Sequence, residues 1–97
     1  MSLDEVQLLA AFLAVNPSAG DRMQGTGGCR KLRWRRPTTG KSGGYRVITF
    51  FSGANLPVFL LAVFSKSEKV NLTMAERNTL RDMTRHLVTT YRGMDDE

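Results

Sequence analysis

Between Arg30 and Arg46 the chain carries seven basic side chains, Arg30, Lys31, Arg33, Arg35, Arg36, Lys41 and Arg46, and no acid. The acid-free zone extends further on both sides, from Arg22 through Ser67, with nine Lys or Arg in all. All nine Asp and Glu lie outside it. Solvated surfaces normally intersperse the two signs. A positive field segregated in this way points to a polyanionic partner, and the stretch from Gly25 to Phe51 reads as an RNA site.

The chemistry open to such a set is cleavage of a phosphodiester without a metal. It needs a group that takes the 2′-hydroxyl proton, cations that stabilise the pentacoordinate phosphorus, and an acid for the departing 5′-oxygen. A pair of histidines cannot supply it, because His86 is the only histidine and, beside Arg85 in a helical stretch, reads as a helix-face residue. Crowded cations offer another route. Neighbouring positive charges favour the neutral form of a lysine, which lets Lys31 or Lys66 serve as base or acid. Arg46 best fits the transition-state role, because a guanidinium stays protonated and its planar fork matches phosphate oxygens. A clamp of this kind contributes roughly 10²–10³ in rate. Trp34 and Tyr45 have faces on which bases can stack; Trp34 reads mostly as core, and for Tyr45 both roles stay open.

Other chemistries fail on spacing. Gly25-Thr26-Gly27-Gly28 would need a glycine at Arg30 to be a dinucleotide fingerprint, and Gly40-Lys41-Ser42 has Arg35 where a Walker A motif starts with glycine. Flexible backbone beside positive charge remains a phosphate contact of lower specificity. The single cysteine, Cys29, cannot form an internal disulfide, and no Cys/His spacing fits a metal. It reads as a small, reduced, partly buried residue. No metal and no cofactor are expected.

These residues have to be positioned by one domain, residues 1–97, since the chain is long enough for a single core and not for two. A hydrophobic content of 41% with 24% charged residues is that of a globular protein and argues against disorder. The net charge of +5 and a pI near 10.0 agree with an anionic partner. The acidic, helix-like start does not read as a secretory signal. The apolar run Val58 to Phe64 is far short of the ~20 residues that span a bilayer. A cytoplasmic location without a membrane partner follows as the expectation.

Ser2 and Glu5 form a capping box ahead of a first helix, in which Leu3, Val6, Leu9, Phe12 and Leu13 recur at helical spacing. Asn16-Pro17 closes it, and the helix should cover one face of a sheet. A glycine-punctuated loop follows to Gly28. Lys31-Leu32-Arg33-Trp34-Arg35 alternates as a strand, Leu32 and Trp34 inward and three cations on the other face. After a turn-rich link carrying Lys41, Tyr45 to Phe51 makes a second strand. There Arg46, Ile48 and Phe50 share one face and Tyr45, Val47, Thr49 and Phe51 the other, with Val47 fixing Arg46 from the core side. Val58 to Phe64, apolar throughout, reads as a third strand, central and covered on both faces. Thr73 and Glu76 form a second capping box for a final helix with Leu80, Met83, Leu87, Val88 and Tyr91 as its buried stripe. Gly93 should end it. Arg77, Arg81 and Arg85, four apart, read as its solvated side.

The run GTGGCRKLRWRRPTTGKSGGYRVITFF, then an apolar strand and FSKSEKVNLT ahead of a helix, resembles the RelE/HigB-like toxins of type II toxin–antitoxin systems. The resemblance covers nearly the whole chain. Its most specific parts are G-T-G-G-x-R-K-L-R, G-K-x-G-G-Y-R-V-I and S-K-x-E-K. It implies an α+β fold: an antiparallel sheet of at least three strands packed by an N-terminal and a C-terminal helix. It also implies cleavage of mRNA, commonly on the translating ribosome, which inhibits translation. The partner it implies is a cognate antitoxin, often a helix-turn-helix protein encoded by the adjacent gene. Lys31, Arg33 and Arg46 fall where the family keeps basic residues at its RNA-cleaving site, and Lys66 and Glu68 in the segment that bears its last active-site charges. Arg30, Arg35, Arg36, Lys41 and Tyr45 are the candidates for further RNA contacts. The chain departs from the family in three places. Almost nothing precedes Leu3, where relatives have a first strand. Phe64-Ser65-Lys66-Ser67-Glu68 stands where relatives often read Tyr-x-Lys-Asn-Glu. The C-terminal tyrosine of some relatives has no evident counterpart.

Two other readings stand beside the nuclease. Toxins of the wider superfamily that act on DNA gyrase lack the basic catalytic set, and Lys31, Arg33, Arg46 and Lys66 argue against that. A catalytically decayed relative that still binds its antitoxin is favoured by Phe64, Ser67 and the short start. A plain DNA-binding module fits least, since no recognition-helix pattern lies beside the basic strands.

Overall fold

A computed structural model describes residues 2–35, 44–53, 57–65 and 71–95 of the chain. Helix α1, Leu3–Val15, starts at the capping box: Glu5 N–H donates to Ser2 Oγ (3.2 Å), and Ser2 N–H donates to Glu5 Oε1 (3.3 Å). It ends at Asn16, whose backbone N–H and side-chain Nδ2 both donate to the carbonyl of Phe12, with Pro17 directly after. Only Leu9 and Leu13 of the expected stripe are buried; Leu3, Val6 and Phe12 stay exposed, as do Leu8 and Val15. α1 is apolar around most of its circumference, so spacing alone could not select its buried side.

Four strands follow, β1 (Asp21–Arg22), β2 (Cys29–Trp34), β3 (Tyr45–Phe50) and β4 (Phe59–Ser65). They pair antiparallel in the order β1-β2-β3-β4. Helix α2, Met74–Asp95, closes the described chain. Its N-terminus carries the second capping box, Glu76 N–H to Thr73 Oγ1 (3.1 Å) and Thr73 N–H to Glu76 Oε1 (2.8 Å). The α+β architecture is the one expected.

The sheet is packed on both faces. On one, Leu9 and Leu13 of α1 meet Val47, with Leu32, Trp34, Tyr45 and Val58 around them. On the other, Leu80 of α2 meets Met23, Cys29, Ile48 and Phe50, flanked by Phe59, Leu61, Ala62, Phe64, Leu72, Leu87 and Val88. β3 is the central strand, and Val47 through Phe50 are all buried.

Four expectations need correction. Among the described strands β4 lies at the edge of the sheet, with Leu60 44% and Val63 38% exposed. Its continuous apolar run reflects packing on α2 from one side, with Leu61 bulged out of register between Ala62 and Leu60, and not coverage of both faces. The loop after α1 contains β1, a two-residue strand too short to leave a periodic signal. In α2 Met83 is exposed and Thr84 is buried in its stead, because Thr84 faces the glycine turn and bonds to it. Helix α2 also runs through Gly93 to Asp95, since a helical glycine costs only ~1 kcal/mol and by itself stops nothing. Among the described residues no helix is long and apolar enough to cross a membrane.

Candidate functional site

Residues directly opposite one another in an antiparallel pair share a face. In the β2–β3 pair Cys29 stands opposite Phe50, Lys31 opposite Ile48 and Arg33 opposite Arg46. Lys31, Arg33 and Arg46 therefore lie on the face that α2 packs against. Directly opposed Cβ atoms stand about 4.5–5.5 Å apart, and Lys31 and Arg33, two strand residues apart, about 7 Å. Arg33 is exposed and Arg46 half-buried, with Val47 fully buried behind it. The alternation read from sequence holds for Lys31 and Arg33, which share a face, and one patch, with Arg46 of β3, whereas Arg35, the third cation expected on that strand, lies past its end.

The patch has two further neighbours. Phe64 of β4 is the cross-strand partner of Arg46, so the residue opposite that guanidinium on β4 carries a phenyl ring without a hydroxyl. Asp21 of β1 stands directly opposite Lys31 and is, among the described residues, the carboxylate nearest the patch by register. Sequence reasoning did not single it out. Its only signal is its place immediately before the acid-free zone, and that becomes meaningful once β1 is paired. Gly20, with φ +99°, sits so close to β2 that a Cβ would lie 2.7 Å from the carbonyl oxygen of Lys31.

The remaining candidates are distributed elsewhere. Arg35 follows β2, exposed, with its Cγ beside Gly44 at the same end as Arg33. Arg30 alternates onto the α1 face and donates from Nη1 to the carbonyl of Gly20 (3.3 Å), tying the loop to the strand. Tyr45 is half-buried on the α1 face among the residues around Leu9 and Val47, away from Arg46. Trp34 lies there too, its ring 5.4 Å from that of Phe12, which gives it to the core. β4 ends at Ser65, one residue past the partner of Arg46. Lys66 and Glu68, next in sequence, lie outside the described residues, as do Arg36 and Lys41.

Tyr91 packs edge-on against Phe59, ring centres 5.0 Å apart, at the first residue of β4 and so at the opposite end of the sheet from Phe64. His86 is exposed on α2. Cys29 is fully buried, and burial pushes its thiol up against the smaller opposing effect of its hydrogen bond with Thr26, which makes it packing and not a nucleophile. Among the described residues no group of three or more His, Cys, Asp or Glu gathers as a metal cluster.

What the arrangement can do is bind an anion on a rigid floor. Two guanidiniums opposed across the β2–β3 ladder offer paired donors to non-bridging phosphate oxygens, and Lys31 adds a third positive charge within one nucleotide's reach. The family model described as the RelE toxin of the RelE/RelB toxin–antitoxin system matches residues 1–94.

Proposed function

Because the chain belongs to the RelE toxin family, and is thereby a toxin of a toxin–antitoxin system with an antitoxin as its partner, we propose that it is a metal-independent mRNA endonuclease of the cytoplasm. Toxins of this family are generally ribonucleases. The observation that carries the proposal is the Arg33–Arg46 pair. Like charges directly opposed in a sheet destabilise it, so a pair held in that position is explained by an anion that binds between the two side chains.

In the reaction the 2′-oxygen attacks the adjacent phosphorus, the bond from phosphorus to the 5′-oxygen breaks, and the products carry a cyclic phosphate and a 5′-hydroxyl. Arg46 and Arg33 stabilise the charge that builds on the non-bridging oxygens. Lys31 exchanges a proton with the 2′- or the 5′-oxygen, and Lys66 or Glu68 supplies the second proton-transfer group. Arg35, Arg36 and Lys41 hold flanking phosphates. The whole chain, 1–97, acts as one domain on ribosome-bound message, and its antitoxin is a helix-turn-helix protein encoded beside it. A second reading, a weakened nuclease that keeps its antitoxin, is favoured by the phenyl ring of Phe64 opposite Arg46.

Induction of the protein in a bacterium, with primer extension on a reporter message, tests the proposal. New 5′ ends at codon-periodic positions, lost in Arg46→Ala, are the expected outcome. Arrested growth over intact message would move the target elsewhere, and normal growth over intact message would establish the weakened form.

A further inference from the structure

At the Cys29 end of the β2–β3 ladder, α2 crosses the turn between β1 and β2. This turn is bound to the helix at two points: Arg77 Nη1 donates to the carbonyl of Gln24 (2.8 Å), and Thr84 Oγ1 reaches the carbonyls of Thr26 (3.2 Å) and Arg81 (2.8 Å). Inside the turn, buried Thr26 donates to Met23 O (2.7 Å) and accepts from Cys29 N (3.1 Å). Gly25, Gly27 and Gly28 have φ of +75°, +77° and +113°, and a Cβ at Gly27 would run into Thr84 Oγ1. Helix and turn enclose a groove of about 370 Å³ lined by Gly27, Arg81, Thr84, Arg85, Val88 and Thr89.

We propose that this groove is a second docking surface for RNA, taking backbone phosphates that lie outside the cleavage site. Arg81 and Arg85 are exposed and one helical turn apart, about 6 Å along one side of α2, a spacing on which successive phosphates of a strand can be held. No acid lines the groove; two guanidiniums and two hydroxyls stand over a floor made of Val88 and the aliphatic parts of the same side chains. The two exposed positive charges without an acid in the lining are what suit a phosphate backbone, which needs donors and positive charge. The groove adjoins the Cys29 end of β2 and Arg33 lies at the other end, four strand residues or about 13 Å away. That is farther than one nucleotide reaches, so the groove and the Arg33–Arg46 pair engage different phosphates, with Lys31 between them on the same face of β2. The inference rests on the reading that RNA is the partner, and goes beyond it in locating a surface that cleavage does not require.

The test is binding without cleavage. Anisotropy titrations with a 2′-O-methylated RNA of about twenty nucleotides, which has no nucleophile, are run from about 50 to 200 mM salt beside a trimer of the same chemistry. With the long RNA, Arg81→Ala/Arg85→Ala should lower the slope of log affinity against log salt by about 1.4, two phosphates at ~0.7 each. Arg81→Lys/Arg85→Lys should retain the slope, and the trimer should bind all forms alike. An unchanged slope in the alanine pair overturns the proposal, as does equal weakening of the trimer or a lysine pair that behaves like alanine. Loss of antitoxin binding with RNA binding intact would also overturn it, in favour of a protein-docking surface. Failure of the nuclease reading shows separately, as a cleavable RNA left whole, and does not alter the slope.

Discussion

The two ends of the β2–β3 ladder obey the same pairing and hold opposite contents. At one end Cys29 faces Phe50 and both are buried under Leu80 of α2. At the other, Arg33 faces Arg46 with Arg33 exposed. Apolar burial at the first end drives folding, whereas the second end places like charges against each other at a cost of a few tenths to about 1 kcal/mol. The first end therefore carries the stability, and the second uses the rigidity that the first supplies. A site whose side chains oppose folding has to be held by a neighbour that favours it, and here the neighbour is on the same two strands.

The largest effect that would break this comparison is on stability. Phe50→Ala should cost about 3–5 kcal/mol as a large-to-small change in a filled core, a large part of the 5–15 kcal/mol typical of a whole domain. Arg46→Ala should leave the urea midpoint nearly unchanged while cleavage falls roughly 10²–10³-fold. If both variants lose comparable stability, the two ends are not distinct in kind, and lost cleavage in Arg46→Ala reports unfolding.

The contrast was half legible in the sequence. Alternation around Leu32, Trp34, Arg46 and Ile48 placed each strand's faces correctly, and both capping boxes marked the helix starts. Register was not legible: nothing in residues 36–43 dictates that Arg33 meets Arg46, and a slip of one residue would send a whole strand's side chains to the opposite face. Asp21 was missed because a two-residue strand has no period, and Thr84 because a buried threonine looks polar until its hydroxyl's partner in the turn is seen. The run from Phe59 to Phe64 misled because an edge strand packed under one helix is as apolar as a central one.

A smaller effect tests how the patch is held. Gly20 has a left-handed φ and lies against the backbone of Lys31, where neither a side chain nor the strand has room to yield. Gly20→Ala should cost roughly 1–3 kcal/mol, seen in the urea midpoint. Gly25 also has a positive φ but meets nothing within 4 Å, so Gly25→Ala isolates the backbone strain. The difference between the two measures the close approach that seats Lys31. Equal losses would mean that β1 does not press on β2 and that Lys31 is positioned by β3 alone.

The smallest effect carries the most specific sign. Arg33→Gln keeps a polar side chain, shorter and with fewer donors, and removes its charge, so the repulsion across the ladder is relieved and, Arg33 being exposed, nothing in the core is disturbed. Stability should rise by about 0.2–1 kcal/mol, most clearly at low salt, where exposed charges are least screened, while cleavage falls. Few core or surface substitutions are expected to move the two quantities in opposite directions. A variant that loses both would show that Arg33 is part of the structural framework, and one that changes neither would leave Arg46 and Lys31 to act without it. Opposite signs would mean that the folded chain tolerates the Arg33–Arg46 repulsion until a phosphate removes it, and that the same repulsion, absent once RNA is bound, adds to the preference for the anion.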